Sequence, residues 1–101
     1  MTVKLVVLYA QPTDADAFDE HYLDVHVGLV HKVPGLQRFE GARIGAAADG
    51  GEQTYFRIAE LWFADQQAMQ AALGSDEGKA TAADYQRIAP PGSRMFVAAV
   101  D

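Results

Sequence analysis

Tyr22 and His26 are the pair of side chains in this chain whose types and spacing most readily suggest chemistry. On a helix they stand at i and i+4 and are neighbours. Phe18, Tyr22, Val25 and Leu29 recur at i, i+4, i+7 and i+11, a stripe confined to about 60° of arc. On that wheel His26 lies about 60° from the stripe centre, at its border. Leu23, Val27 and Val30 form a second apolar patch beyond it, so the helix is expected to bury two faces with His26 between them. An imidazole placed there can give and take protons near neutral pH. The plainer reading of the same spacing is a structural histidine hydrogen-bonded at a packing edge. His21, His26 and His31 repeat at i, i+5 and i+10, which drifts around an α-helix. His21 and His31 are expected on other faces of the helix than His26, so the three cannot converge on one ion, and a helical zinc pair is spaced i, i+4 in any case.

Glu60 alternates with Ile58 and Trp62 on one strand face. A carboxylate on a covered face needs a partner or a proton. Three readings stay open: an ion pair with Arg38, Arg43 or Arg94, exposure at a sheet rim, or a carboxylate in a pocket. Tyr9, Phe39, Tyr55, Phe56, Trp62, Met95 and Phe96 could line an aromatic pocket or simply be core. The candidate ligand-binding set is therefore Tyr9, Phe39, Tyr55, Glu60 and Trp62. Gly41, Gly45, Gly50 and Gly51 match neither phosphate-loop nor dinucleotide spacing, and no Gly-x-Ser-x-Gly elbow occurs. No cofactor motif is visible.

These side chains must be positioned by a short series of elements. Val3 to Tyr9 is β-branched and aromatic and reads as a strand that stops at Gln11-Pro12-Thr13-Asp14. Thr13 or Asp14 caps the helix that carries Tyr22 and His26, and Pro34-Gly35 ends it. Leu36 to Ala47 reads as a long strand, Asp49-Gly50-Gly51-Glu52 as a hairpin turn, and Gln53 to Phe63 as the next strand. Asp65 caps a helix through Leu73, which Gly74 terminates. Ser75 to Gly78 starts another, reaching about Ile88. After Pro90-Pro91-Gly92, Arg94 to Val100 is the last strand.

The order β-α-β-β-α-β is the split arrangement of a ferredoxin-like α+β fold: a four-stranded antiparallel sheet with helices on one face. The strands are apolar on both sides. Tyr55, Ala59, Leu61 and Phe63 are expected on one face, with Phe56, Ile58 and Trp62 on the other. Val3, Leu5, Val7 and Tyr9 likewise oppose Val6 and Leu8. A sheet apolar on both faces must be covered on both. The economical cover for the face without helices is a second copy, giving a homodimer.

Composition sets the outer bounds. The chain has 101 residues, half of them hydrophobic and 22% charged, which is one ordinary globular domain spanning residues 1–101. Lysine plus arginine is 8 against 14 acidic residues, a net charge of −6, which argues against nucleic acid as a partner. There is no cysteine, hence no disulfide framework and no thiol nucleophile. No apolar run reaches the ~20 residues that span a bilayer. The N-terminal stretch reads as a strand rather than a signal peptide, so a cytoplasmic location is expected.

Several short motifs together resemble the EthD family. They are Leu8-Tyr9, the run Phe18-Asp19-Glu20-His21-Tyr22-Leu23, His26 with Leu29-Val30, Pro34-Gly35-Leu36, Ala59-Glu60-Leu61-Trp62-Phe63, Ser75 to Gly78, and Asp84. Gly28 departs from the pattern, since the family often has proline after the histidine. The resemblance implies a dimeric α/β barrel of two ferredoxin-like subunits joined through their sheets. The family is named for a protein encoded with an ethyl tert-butyl ether degrading monooxygenase system. Members are often labelled reductases, and this chain shows no nicotinamide or flavin motif to match. Barrels of this kind include cofactor-free monooxygenases, polyketide cyclases, muconolactone isomerases and haem-degrading enzymes. Nothing in the spacing of His26 demands a haem. Fold analogy does not select among these activities.

Three functions follow as expectations. In the first, a small hydrophobic, carbonyl- or ring-bearing molecule binds between helix and sheet, with His26 as acid and base and Tyr22 orienting it or donating to an oxyanion. The second is a non-catalytic protein that holds or delivers such a molecule to an oxygenase. The third is a structural dimer without a pocket.

Overall fold

The computed structural model describes residues 1–101. Four strands, β1 (Val3–Ala10), β2 (Arg38–Arg43), β3 (Tyr55–Phe63) and β4 (Arg94–Ala99), form one sheet in the order β2-β3-β1-β4. Every neighbouring pair is antiparallel. The helical segments are α1 (Ala15–His21), a π turn (Tyr22–His26), α2 (Val27–His31), α3 (Gln66–Gly74) and α4 (Asp76–Ile88). This is the ferredoxin-like arrangement the element order implies. No helix is long and apolar enough to cross a membrane.

The core lies between the sheet and the helices. Val3, Leu5, Val7 and Tyr9 of β1 meet Ala59, Leu61 and Phe63 of β3 across the central pair. Phe18, Tyr22 and Val30 of the first helical stretch and Val33 just beyond it close over them, with Met69 and Ala72 from α3. Capping follows the sequence. The carboxylates of Asp14 and Asp65 accept from the N–H groups of Ala17 and Ala68 at 3.0 and 2.8 Å. Ser75 Oγ accepts from Gly78 N–H at 3.0 Å and so caps α4. Gly78 has to be glycine because α3 and α4 meet there. A methyl group at that position would collide with the Ala72 carbonyl oxygen.

Three expectations are corrected. β2 is shorter than the Leu36–Ala47 reading, because Gly45-Ala46-Ala47 offers no β-branched side chain to hold a ladder. Phe56 does not share the face of Ile58 and Trp62. The register with β1 shifts between Tyr9, opposite Arg57, and Ala10, opposite Tyr55. The extra residue turns Phe56 inward, its ring 5.7 Å from that of Phe18 in an edge contact. The same shift puts Tyr55 on the side away from the helices.

The third correction concerns the first helical stretch. Its buried positions are Phe18, Tyr22, His26 and Val30, while Val25 is 43% exposed. A regular α-helix would carry Val30 about 120° around from Phe18. The π turn absorbs one residue, about 100°, and returns the two to one face. His26 is thus at the centre of the stripe, not at its border.

The face without helices carries Lys4, Val6 and Leu8 of β1, Ile58, Glu60 and Trp62 of β3, Arg38, Glu40 and Ala42 of β2, and Arg94 and Phe96 of β4. Nothing in the chain covers it. Phe96 is exposed.

Candidate functional site

His26 sits 4% exposed between the core and α4. Its Nδ1 lies 2.8 Å from Asp84 Oδ2, and its Nε2 lies 3.3 Å from the Tyr9 hydroxyl. A carboxylate only accepts, so Nδ1 carries the proton and donates to Asp84. In the neutral imidazole Nε2 is then the acceptor, and the Tyr9 hydroxyl donates to it. The result is a chain Tyr9–His26–Asp84 drawn from β1, the π turn and α4. All three residues are buried: Tyr9 is 1% and Asp84 3% exposed.

Asp84 is held in place by α4. The Ser75 cap and the close approach at Gly78 fix that helix against α3, and Thr81 Oγ1 donates to the Leu29 carbonyl oxygen at 3.3 Å, tying it to α2. Burial alone would raise the Asp84 carboxyl, but hydrogen bonds from His21 and His26 outweigh it and hold the group below the usual carboxylate range. His21 Nε2 lies 2.8 Å from Asp84 Oδ1. The expectation that His21 lies on another face of the helix from His26 is therefore corrected: both reach one carboxylate. The π turn is the reason, since it brings residues five apart together.

Beside this chain lies a cavity of about 200 Å³. Leu5, Val7, Ala59 and Leu61 of the sheet form its floor. Tyr9, Tyr22 and His26 border one side, Thr81 and Tyr85 of α4 another, and Phe39, Leu73 and Met95 also line it. Of these, Leu73 of α3 and Met95 of β4 are exposed to solvent. Burial pushes the Tyr9 phenol well above its ordinary value, with help from Tyr22, Tyr85 and Asp84, so it remains a protonated donor.

Tyr22 behaves differently from the sequence reading. Its ring stacks on the His26 imidazole at 5.6 Å and 27°, but its hydroxyl does not bond that ring. The hydroxyl is buried with no hydrogen-bond partner. It sits where a side chain on Gly41 would be, 2.9 Å from an ideal Cβ there, next to the Phe39 ring. Burial raises its pKa, and the Arg57 guanidinium, 4.5 Å over the ring, partly offsets this. Arg57 is fixed by Asp19, whose Oδ1 accepts from its Nη2 at 3.0 Å. An orphaned buried hydroxyl costs about 1–3 kcal/mol. Tyr22→Phe is thus expected to leave the ligand-free protein as stable as wild type or up to about 1 kcal/mol more stable. Urea denaturation checks it, and a loss above about 1 kcal/mol would reveal a partner for that hydroxyl.

Of the other candidates, Phe39 lines the cavity. Tyr55 does not, because the bulge turns it away. Glu60 and Trp62 lie on the uncovered sheet face, where Glu60 pairs with Lys4 at 3.6 Å and the Lys4 and Arg38 cations lie over the Trp62 ring at 5.2 and 4.7 Å. The Glu60 partner is thus a lysine, not one of the three arginines. Asp84 was legible only as part of the family resemblance. Its one intrinsic signal is a lone carboxylate on the α4 stripe of Thr81, Tyr85 and Ile88.

Fold and site together define a ferredoxin-like α+β protein with an apolar cavity ending in an Asp–His–Tyr chain. Residues 10–91 match the EthD domain, and the chain belongs to the EthD family. It is similar over its full length to an EthD family protein of Bacillus halodurans, at 36% identity and a TM-score of 0.93, with all of both chains covered. It is also 34% identical over 93 residues to an uncharacterised 11.0 kDa protein from the thcB–thcC intergenic region of Rhodococcus erythropolis, covering 92% of this chain and 89% of that one. A dimeric ferredoxin-like protein of Thermobifida fusca shares the fold at 14% identity and a TM-score of 0.73, over 99% of this chain and 92% of its own.

Proposed function

We propose that the protein binds a small apolar molecule bearing a carbonyl group or an aromatic ring and moves a proton on it, with His26 as the acid–base group. The observation that carries this reading is the Asp84–His26–Tyr9 hydrogen-bond chain, which holds His26 Nε2 at the edge of a largely apolar cavity. A ligand that displaces the Tyr9 hydroxyl presents an acidic C–H next to its carbonyl to Nε2. The proton passes to Nε2, the C–H electron pair becomes the enolate, and Asp84 stabilises the imidazolium. His26 returns the proton to the same or a conjugated carbon. Such a shift balances without a cofactor. Tyr22 and Tyr85, which both line the cavity, carry hydroxyls that can donate to the enolate oxygen. Tyr9, Tyr22 and Phe39 bound the ligand.

A second reading, a carrier that delivers its ligand without reacting it, is favoured by how few polar groups line the cavity. One experiment separates the two. Ring ketones and β-dicarbonyl compounds are incubated with the protein in D2O and followed by proton NMR. Deuterium incorporation that needs the protein and is lost in His26→Gln supports acid–base catalysis. Saturable binding without exchange supports the carrier. Neither binding nor exchange across the panel overturns both.

The uncovered sheet face supports the further proposal of a homodimer. Val6, Leu8, Ile58, Trp62 and Phe96 form a largely apolar field there, with the Lys4–Glu60 pair set within it and the Arg38–Glu40 pair at its β2 edge. Contiguous apolar patches of this kind are uncommon on monomers. A second copy placed sheet to sheet covers it with the same surface, and Glu60 and Trp62 belong to that interface, not to the cavity. Sedimentation at micromolar concentration is expected to give about twice the chain mass, and Trp62→Glu to give the monomer. A monomeric wild type overturns it.

A further inference from the structure

The proposed proton transfer leaves His21 without a task. His21 Nε2 lies 2.8 Å from Asp84 Oδ1 and 3.1 Å from Oδ2, while His26 Nδ1 reaches Oδ2 at 2.8 Å. An α-helix sets residues five apart about 140° from each other. Here the Val27 N–H bonds to the Tyr22 carbonyl oxygen, five residues back, and this wide turn lets both imidazoles grip one carboxylate. Asp84 itself is 3% exposed. Its other charged neighbour is Arg87, at 3.7 Å from Oδ1 with a side chain 72% exposed, too loose to orient it.

A carboxylate with one partner turns easily, because the terminal torsion of aspartate is broad. A second donor on the opposite oxygen removes that freedom. We infer that His21 is a positioning residue, whose Nε2–H fixes the Asp84 carboxylate and thereby keeps the His26 proton on Nδ1 and the Nε2 lone pair toward Tyr9 and the cavity. His21 is the member of the cluster that reaches water: its side chain is 33% exposed and borders an open groove with Pro12, Ile88 and Pro90. The buried pair is thus oriented from a position that can change without opening the core.

The inference rests on the reading of His26 as the acid–base group, but its test has a readout that does not require turnover. Protein labelled with nitrogen-15 in histidine is examined by two-bond nitrogen–proton correlation at neutral pH, as wild type, His21→Gln and His21→Leu. Glutamine carries an amide N–H at about the reach of the imidazole Nε2. Wild type and His21→Gln are expected to show His26 with its proton on Nδ1. His21→Leu is expected to show a mixture of His26 tautomers and exchange on the order of 10–100-fold slower, with glutamine restoring the rate. An unchanged His26 tautomer in folded His21→Leu overturns the inference. So does a glutamine variant that keeps the tautomer but not the rate, since His21 would then act by carrying a proton. If wild type exchanges no substrate while His21→Leu still shifts the tautomer, the reading of the activity fails and the positioning role stands.

Discussion

Asp84→Ala is expected to destabilise the protein by about 3 kcal/mol, the upper end of the range for leaving a buried donor without its acceptor. The loss strands the Nδ1–H of His26 in a place water does not reach and frees His21. Asp84→Asn is the gentler change and tests the same chain. An amide offers one acceptor oxygen and one NH2 donor. Two imidazole N–H donors converge on Asp84, so asparagine satisfies one and forces the other to turn or change tautomer. A cost of about 1–3 kcal/mol is expected near neutral pH. The cost should also depend on pH with a definite sign. The folded carboxyl is held below its unfolded value, ~3.9, so its contribution is fully present above that value and is lost as pH falls through the folded one. The gap between wild type and Asp84→Asn should therefore narrow from pH 7 to pH 3. Urea denaturation at both values measures it, and a gap of constant size would show that the carboxyl titrates alike in both states.

How the chain arrives at this chain of hydrogen bonds explains what the sequence revealed. Strand patterning is a local property. Val3 to Tyr9 and the stretch from Ile58 to Phe63 read correctly because each residue alternates independently of distant partners. The caps at Asp14, Asp65 and Ser75 are local too, as each carboxylate or hydroxyl serves an N–H three residues on. Two insertions of a single residue broke the reading elsewhere. Neither the bulge at Phe56 nor the π turn at Tyr22–His26 has a residue type that marks it, and each rotates everything after it. The π turn moved His26 from the border of the stripe to its centre and brought His21 beside it. The partner of His26 could not be read from spacing at all, because Asp84 lies 58 residues away. Tyr22, the neighbour by helical spacing, stacks on the imidazole, while Tyr9 from β1 makes the hydrogen bond.

That exchange of tyrosines shapes the prediction with the largest effect on activity. His26→Gln should lower protein-catalysed deuterium exchange by about 10²–10⁴-fold, the usual worth of a positioned acid–base group. Glutamine can still donate to Asp84, so the carboxylate stays satisfied and the fold survives, but an amide neither takes nor returns a proton. Tyr9→Phe should have a smaller effect with a different origin. It removes the donor that holds the Nε2 lone pair in place and leaves the base itself intact. Tyr22→Phe should weaken binding or slow exchange without loss of stability, because its hydroxyl has no partner until a ligand supplies one. If Tyr9 and His26 work as one unit, the double variant will be little slower than His26→Gln alone. Strict additivity would mean that Tyr9 meets the ligand independently. A folded His26→Gln variant that exchanges within about threefold of wild type would remove His26 from the chemistry. The Asp84–His26–Tyr9 chain would then be a buried polar contact that fastens α4 and the π turn to the sheet, and the cavity beside it a place to hold a ligand without changing it.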